Sequence, residues 1–196
     1  MDTPAGDPVR RAALLSVVLP VYNEREVLAE LTDRLSAALA PIGVPFELVF
    51  VDDGSRDGSA EALDDLAAER PQAKVVHLSR NFGHQAAIQA GLTYAHGDAV
   101  VLMDSDLQDT PEAIPALLAE WEQGWDVVYA IRTQRKEGLW KRALFALFYR
   151  GLRQIADTEL PVDSGNFGLI DRRVRDAITG MGEHDRYYPG LRAWVG

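Results

Sequence analysis

The sequence contains no cysteine, so disulfides, thiolate metal sites and cysteine nucleophiles are excluded, and a reducing compartment suits the chain. No apolar run approaches the roughly 20 residues of a membrane-crossing helix, so we expect no segment to span a bilayer. Neither of the two common glycine-rich phosphate loops, GxxxxGK followed by Ser or Thr and GxGxxG, occurs. The four histidines show no metal-ligand spacing, so most of them are interpreted as ordinary residues. They are His77, His84, His96 and His184.

Basic residues are the minority, but they are concentrated in one segment. The formal charge of −10 argues against general nucleic-acid binding. Residues 132–153 carry seven basic residues and one acid, which makes this segment about +6 and leaves about −16 for the rest. We expect an anionic partner at this segment.

Apolar runs alternate with helical patterns after a polar start. Residues 1–13 predict a flexible N-terminal tail without signal-peptide features, and residues 14–196 predict one domain. Strands are predicted at residues 14–19, 46–51, 74–78, 99–102 and 126–131. Helices are predicted at residues 24–40, 59–69, 84–95 and 112–121. This alternation predicts an α/β fold with an open, mostly parallel sheet, helices on both faces and ligands beyond the carboxyl ends of the strands.

Capping residues mark the starts of two predicted helices. Asn23 is placed to cap the first helix. Thr110 is the expected cap of the fourth, with Pro111 at its first position.

The densest acidic motif follows the fourth predicted strand. Asp104, Ser105 and Asp106 come after an apolar run, and Gln108 adds a neutral oxygen. Crowded carboxylates at the end of a buried strand repel each other and lose hydration, which a divalent cation between them would relieve. Hard oxygen ligands suit Mg²⁺ or Mn²⁺, which share their coordination with substrate phosphates. The alternative for an isolated Asp-x-Asp is a solvated turn or a helix cap.

Two acids and a turn glycine end the second predicted strand at Asp52, Asp53 and Gly54. A carboxylate there can accept the imide N–H of uracil or the N–H groups of guanine, whereas the simpler alternative is a capped tight turn. Both interpretations hold if Asp52 has the structural role and Asp53 the functional one. Residues 53–64 also resemble a calcium loop, but Asp64 stands where Glu is required and a strand replaces the entering helix, which disfavours a calcium site.

An aromatic residue stands beside an acid after the first predicted strand. Pro20 is expected to end the strand. Tyr22 predicts stacking on a nucleobase, and Glu24 predicts a contact with the ribose or the base. Strand termination and helix capping alone do not explain this pair.

Residues 138–155 combine large apolar and aromatic side chains at helical spacing with flanking cations. This pattern is typical of a helix that lies in a membrane interface, and an amphipathic core helix is the competing interpretation. An excess of aromatic residues favours contact with a membrane surface. These residues are Trp140, Phe145, Phe148 and Tyr149.

Five segments in this order resemble a known family. They are SVVLPVYNE (16–24), VDDGS (51–55), LSRNFGHQAA (78–87), MDSDLQDTPE (103–112) and GNFGLIDRRV (165–174). Over about residues 14–180 the chain resembles family 2 glycosyltransferases of the polyprenyl-phosphate, or dolichol-phosphate-type, branch. The resemblance implies a GT-A fold, a nucleotide-sugar donor, Mg²⁺ or Mn²⁺, and a polyprenyl phosphate acceptor.

The resemblance also implies residue roles, position by position. Nucleotide-sugar contacts are expected at Pro20, Tyr22, Glu24, Asp53, Asp104 and Ser105. Metal ligands are expected at Asp106 and Gln108, with Asp104 on the metal side. Arg132 is expected to serve the diphosphate and the acceptor phosphate, and Arg135 and Lys141 are further candidates for the lipid phosphate. Catalytic roles are therefore expected for Asp104, Asp106 and Arg132.

Asn166 stands where many relatives have an acid, and Asp163 nearby is not assigned as a base. A phosphate monoester, with its second pKa near 6, is already a largely deprotonated nucleophile, so the expected reaction is inverting transfer without a protein base. Residues 80–83 favour a UDP-sugar. The alternatives are a GDP-mannose-dependent mannosyltransferase, a family 2 transferase to a sugar hydroxyl and a non-catalytic nucleotide-sugar-binding module.

Relatives in this family generally continue into membrane helices, so the chain is expected to be a catalytic domain without its C-terminal membrane region. It is expected to work at a membrane surface, on the cytoplasmic face of the cell membrane, without binding nucleic acid. Whether the chain forms a homo-oligomer is left open.

Overall fold

The chain forms an open α/β sheet, and a computed structural model describes residues 10–131, 164–182 and 187–195. The strands are β1 Leu15–Val21, β2 Phe46–Asp52, β3 Ala73–His77, β4 Ala99–Leu102, β5 Val127–Ile131 and β6 Ser164–Asp171. The helices are α1 Leu28–Leu39, α2 Ser59–Glu69, α3 His84–Tyr94, α4 Ile114–Glu122, α5 Arg172–Gly180 and α6 Tyr188–Val195, with 3₁₀ turns at Ala40–Ile42 and Pro111–Ala113. None of the described helices is long and apolar enough to cross a bilayer.

The strand order β3-β2-β1-β4-β6-β5 confirms the predicted α/β class and mostly parallel sheet. Strands β1 to β4 pair in parallel, whereas β6 is antiparallel to both of its neighbours, β4 and β5. No strand was predicted for β6, because Gly165, Asn166 and Gly168 are poor strand formers. A Cβ atom on Gly168 would lie 2.6 Å from the carbonyl oxygen of Val128, so glycine allows the close approach of β5.

The buried strands divide the core into two layers. Val17 and Leu19 of β1 face the layer that contains α1, α2 and α4, while Val18 faces Ile88 of α3 and the layer that contains α3, α5 and α6. Successive side chains of a strand point to opposite faces of the sheet, so an unbroken apolar run is buried on both faces. This is why the apolar runs predicted the central strands well.

The structure corrects the predicted starts of two helices. Asn23 does not cap α1, which begins at Leu28 after an N-cap residue, Val27, that makes no side-chain capping hydrogen bond. Asn23 has a φ of 58° and accepts a hydrogen bond of 2.8 Å from the Arg56 amide, because asparagine tolerates the left-handed conformation that turns the chain out of β1. Thr110 likewise makes no side-chain capping bond, and Pro111 begins a 3₁₀ turn.

Part of the predicted flexible tail is bound to the domain. Within residues 10–13, Arg10 lies 2.7 Å from Asp126 and 3.2 Å from Asp171, and the Ala13 amide donates to Asp98 at 2.8 Å. Residues 10–13 therefore belong to the folded unit.

A buried carboxylate joins the strands at the amino edge of the sheet. Glu47 of β2 accepts hydrogen bonds from the Ser16 hydroxyl at 2.5 Å, the His96 amide at 2.6 Å and the Lys74 ammonium at 2.5 Å. Burial on its own would raise the pKa of Glu47, but the hydrogen bonds from Lys74, Ser16 and His96 outweigh burial and lower it.

We predict that Glu47→Gln lowers the free energy of unfolding at pH 7 by about 2 kcal/mol, because it removes charge-assisted hydrogen bonds. A depressed pKa stabilises the folded state above the unfolded value of 4.5, and this contribution is lost as the pH falls through the lower pKa of the folded state. The difference between wild type and variant should therefore shrink in acid, as measured by urea unfolding across pH. The exposed Glu69→Gln is the control, and a difference that stayed constant in acid would contradict this role.

Candidate active site

A cavity of about 260 Å³ lies at the carboxyl edge of the sheet, beyond β1, β2, β3 and β4. Parallel strands bring their carboxyl ends to one edge, where ligands of open α/β sheets bind. Seven residues predicted from the sequence line this cavity. They are Pro20, Tyr22, Glu24, Asp53, Asp104, Ser105 and Asp106. Asn81 and His84, to which no role was assigned, line it as well.

The other predicted site residues are not part of this wall. Gln108 does not line the cavity, and its main-chain amide donates to Asp106 Oδ1 at 3.0 Å. Its assignment as a metal ligand therefore gains no support from the geometry. Arg132, Arg135 and Lys141 lie outside the described residues, as does the aromatic segment 138–155.

The loop that carries Asp104 and Asp106 folds back on itself. Asp109 accepts a hydrogen bond of 3.1 Å from the Asp104 amide, and Leu107 has a φ of 62°. A left-handed leucine costs of order 1 kcal/mol and persists only where its surroundings determine the conformation. Leu107 packs against the hydrophobic core, which offsets this cost. The loop thus has one preferred shape, and that shape presents Asp106 to the cavity.

Ser105 joins the ends of β4 and β1. Its buried hydroxyl donates to the Pro20 carbonyl at 2.7 Å. Pairing between β1 and β4 ends at Val18 and Leu102, so the hydroxyl supplies a hydrogen bond beyond the end of the ladder. Proline lacks the N–H group that a paired strand residue donates. Pro20 is tolerated in this central strand because pairing with β4 has already ended, so no β4 carbonyl loses a hydrogen bond. The hydroxyl proton of Ser105 is therefore engaged within the protein.

The two acids after β2 have different partners. Asp52 accepts from the Ser55 amide at 3.0 Å, which confirms the predicted turn-capping role. Asp53 is buried and accepts from the amides of Phe82 at 2.7 Å and Gly83 at 2.9 Å. Asp53 thereby fixes the loop that precedes α3, and its contact with a nucleobase stays a prediction.

The cavity is acidic. Glu24, Asp53, Asp104 and Asp106 line it, and neither lysine nor arginine does so among the described residues. Burial raises the pKa of Glu24, and the negative charges of Asp106 and Asp57 raise it further. A nucleotide diphosphate would meet strong repulsion here without a cation.

The donor set suits a hard divalent cation that takes few protein ligands. Asp104 and Asp106 both reach the cavity, although the described residues contain no cluster of three or more acids or histidines placed to hold a metal. Mg²⁺ is usually bound through one or two carboxylates and completes its coordination with water and substrate phosphates. Two carboxylates therefore fit such an ion.

Residues 16–179 match the profile of the family described as "Glycosyl transferase family 2", and this stretch includes every residue that lines the cavity. The chain belongs to glycosyl transferase family 2. This membership confirms the resemblance carried by the five sequence segments.

Curated relatives agree with the polyprenyl-phosphate branch of family 2. The chain is 44% identical over 182 residues to the uncharacterized glycosyltransferase YkcC of Bacillus subtilis, covering 92% of this chain and 56% of the relative. It is 51% identical over 131 residues to the undecaprenyl-phosphate 4-deoxy-4-formamido-L-arabinose transferase of Pseudomonas aeruginosa, covering 66% of this chain and 38% of the relative. The chain thus spans about half the length, or less, of these relatives.

Solved structures of glycosyltransferases share the GT-A fold of this chain. A mannosyltransferase from Pyrobaculum calidifontis, solved with GDP-Man and Mn²⁺, superposes with a TM-score of 0.60 at 23% identity, covering 91% of this chain and 51% of that one. A glucosyl-3-phosphoglycerate synthase from Mycobacterium tuberculosis, solved with Mn²⁺, UDP and phosphoglyceric acid, gives 0.59 at 24% identity, covering 84% and 57%. At these identities the likeness establishes the fold.

The family 2 site contains a histidine that the sequence patterns did not reveal. His84 Nε2 lies 3.3 Å from Asp104 Oδ1 and 2.8 Å from Asn166 Nδ2. The hydrogen bond to Asp104 raises the pKa of His84, burial opposes this, and the charges of Asp104, Asp53 and Asp106 add to the increase. No role was assigned to His84 from the sequence, although it lines the cavity. The sequence did contain one indication of a site position, because His84 directly follows residues 80–83, after the end of the third strand.

We predict that Asp53→Asn loosens the loop before α3, because an amide group would face one of two N–H donors without an acceptor lone pair. The free energy of unfolding should fall by about 1–3 kcal/mol. Hydrogen exchange at the amides of Phe82 and Gly83 should accelerate relative to wild type, as measured by NMR. The exposed Asp65→Asn is the matched control. Unchanged protection of both amides would refute this anchoring role.

Proposed function

We propose that residues 14–196 form the catalytic domain of a transferase that moves a sugar from a nucleotide-sugar, expected to be a UDP-sugar, to a polyprenyl phosphate. The observation that carries this proposal is an acidic cavity at the carboxyl edge of a GT-A sheet, with Asp104 and Asp106 facing it. The printed activity of the Pseudomonas relative, an undecaprenyl-phosphate sugar transferase, supports the acceptor class.

The donor requires a cation because four carboxylates line the cavity. Mg²⁺ or Mn²⁺ bound by Asp104 and Asp106 would neutralise the diphosphate leaving group. The solved neighbours that hold Mn²⁺ with GDP-Man or UDP support this donor class. Tyr22, nearly half exposed at the cavity wall, offers an aromatic surface for the nucleobase, and Glu24 lies beside it.

The acceptor phosphate is proposed to approach from the basic segment 132–153. Ile131 ends β5 and Ser164 begins β6, and the antiparallel pairing of β6 brings both residues to the carboxyl edge of the sheet. Residues 132–163, which include the basic segment, are therefore joined to the described chain at both ends on the edge that holds the cavity. Arg132, Arg135 and Lys141 remain the proposed contacts of the lipid phosphate, with Arg132 also serving the diphosphate.

The proposed reaction is an inverting displacement. An acceptor phosphate oxygen attacks the anomeric carbon while the bond to the nucleoside diphosphate breaks, so an α-linked donor gives a β-linked product. A phosphate monoester is largely ionised at neutral pH, so no protein base is needed, and Asn166 in place of an acid is compatible with this chemistry. The protein supplies alignment and charge stabilisation.

The proposed site of action is the cytoplasmic face of the cell membrane. Segment 132–153 carries about +6 and would be attracted to an anionic leaflet. Its aromatic residues suit a membrane interface.

We predict that the protein, incubated with Mn²⁺, labelled nucleotide sugars and a short-chain polyprenyl phosphate, transfers label to the organic phase. Omitting the polyprenyl phosphate or adding a chelator should abolish transfer. Label that moves only to sugar hydroxyls would support a different family 2 transferase. Nucleotide-sugar binding without any transfer would support a binding module, and either result would end the present proposal.

We also predict that Asp106→Asn loses metal-dependent donor binding while the fold stays intact, because an amide is a weaker ligand for a hard cation. Thermal shifts with UDP, GDP and dTDP in the presence of Mn²⁺ measure this, since a ligand that binds only the native state stabilises it. UDP should give the largest shift for wild type and for the exposed control Asp65→Asn. An Asp106→Asn variant with wild-type shifts would show that the ligand assignment is wrong.

A further inference from the structure

An arginine lies fully buried beside β6. Arg192 of α6 is 0% exposed, and its guanidinium lies 4.2 Å from the ring centroid of Tyr129 and 5.2 Å from that of Tyr188. Within the described parts of the chain, no ion pair joins Arg192 to a carboxylate. Burying a cation without a counter-ion carries a large desolvation penalty, which an apolar side chain of similar size would avoid. Among the described residues, packing alone does not explain this charge, which points to a further task.

That task is suggested by an irregularity between β5 and β6. Tyr129 pairs with Gly168 and Ile131 pairs with Ser164, so Ala130 alone faces the three residues 165–167. A bulge of this kind interrupts the hydrogen-bond ladder and leaves backbone groups in need of other partners.

The guanidinium of Arg192 supplies those partners. Its Nη2 donates to the Gly165 carbonyl at 2.9 Å, and its Nη1 donates to the Asn166 carbonyl at 3.2 Å. Arginine holds two acceptors at once with a planar, permanently charged fork, which the single ammonium of lysine cannot reproduce. The aromatic rings of Tyr129 and Tyr188 also attract the cation.

The bulge directs one side chain toward the cavity. Asn166 lies beyond the end of β4, since Leu102 is paired with Gly168. Its Nδ2 lies 2.8 Å from His84 Nε2, and Asp104 Oδ1 lies 3.3 Å from the same atom. This nitrogen accepts from Asn166 when it carries no proton and donates to Asp104 when it is protonated, so the two side chains share it. Bulges near active sites commonly re-aim a side chain in this way.

We propose that Arg192 is a positioning residue, whose guanidinium fixes the bulge of β6 and thereby the place of Asn166, which shares the Nε2 atom of His84 with Asp104. The consequence for catalysis rests on the proposed function, in which Asp104 serves the donor side. The contact chain itself can be tested without any transfer assay.

Histidine ring ¹⁵N NMR at one fixed pH, without metal, tests the contact chain. The His84 signal is assigned by its loss in His84→Gln. Asn166→Ala should shift this signal, and Arg192→Lys and Arg192→Met should shift it in the same direction. Arg34→Lys, which alters an exposed two-point contact with Glu112, should leave it unchanged. Folded Arg192 variants with a wild-type His84 signal, or an Asn166→Ala variant without a shift, would overturn the proposal.

A second variant protects the test against misfolding. Tyr129→Leu leaves Arg192 in place but removes one aromatic face of its surroundings. If neither Arg192 variant folds, Tyr129→Leu should still move the His84 signal, and an unmoved signal would overturn the proposal.

Kinetics separate positioning from general structural support. Arg192→Lys should lower kcat about tenfold or more while KM for the donor changes less than about threefold, because a misplaced catalytic group slows the step more than it weakens binding. Adding Asn166→Ala to Arg192→Lys should cause no further loss, and independent losses would overturn the proposal. A wild-type protein without transfer activity would refute the proposed function but leave the NMR result to decide the role of Arg192.

Discussion

Four carboxylates face one cavity, and the fold has to contain their mutual repulsion. Hydrogen bonds from backbone amides stabilise part of this negative charge. Asp53 accepts two of them, Asp106 accepts the Gln108 amide, and the amide of Asp104 is held by Asp109. These bonds orient the carboxylates of Asp53 and Asp106 and fix the main chain at Asp104 before any ligand arrives. The remaining repulsion is the driving force that would make a cation bind.

The acid at the opposite edge of the sheet shows why the cavity acids differ from structural ones. Glu47 accepts bonds from Ser16, Lys74 and the His96 amide, so its charge is balanced inside the protein. The cavity wall offers no lysine or arginine among the described residues. A balanced carboxylate strengthens the sheet, whereas carboxylates left with a net negative field attract a cation from solution.

Local sequence patterns predicted the elements with strong periodicity and the residues at strand ends. The run 99–102 is buried on both faces, and the acids that follow it reach the cavity as expected. β6 and His84 were missed because their roles depend on pairing between distant segments. A glycine-rich strand shows weak propensity, and the contact of His84 with Asp104 arises only when α3 and β4 are brought together. Asn23 shows the opposite error. Its residue type predicted a helix cap, whereas in the structure it lies in the turn that follows β1.

The reversed direction of β6 determines which parts of the chain reach the carboxyl edge of the sheet. A parallel strand presents only its end at the carboxyl edge, but an antiparallel strand presents its beginning there. Asn166 therefore meets His84 at the cavity, and the chain that precedes Ser164 arrives at the same edge. Ile131 of β5 ends at this edge as well, so residues 132–163, which include the basic segment, join the described chain there at both ends. Under the proposed function, this connectivity lets a cation-bound donor and an acceptor phosphate reach the same edge without any rearrangement of the core.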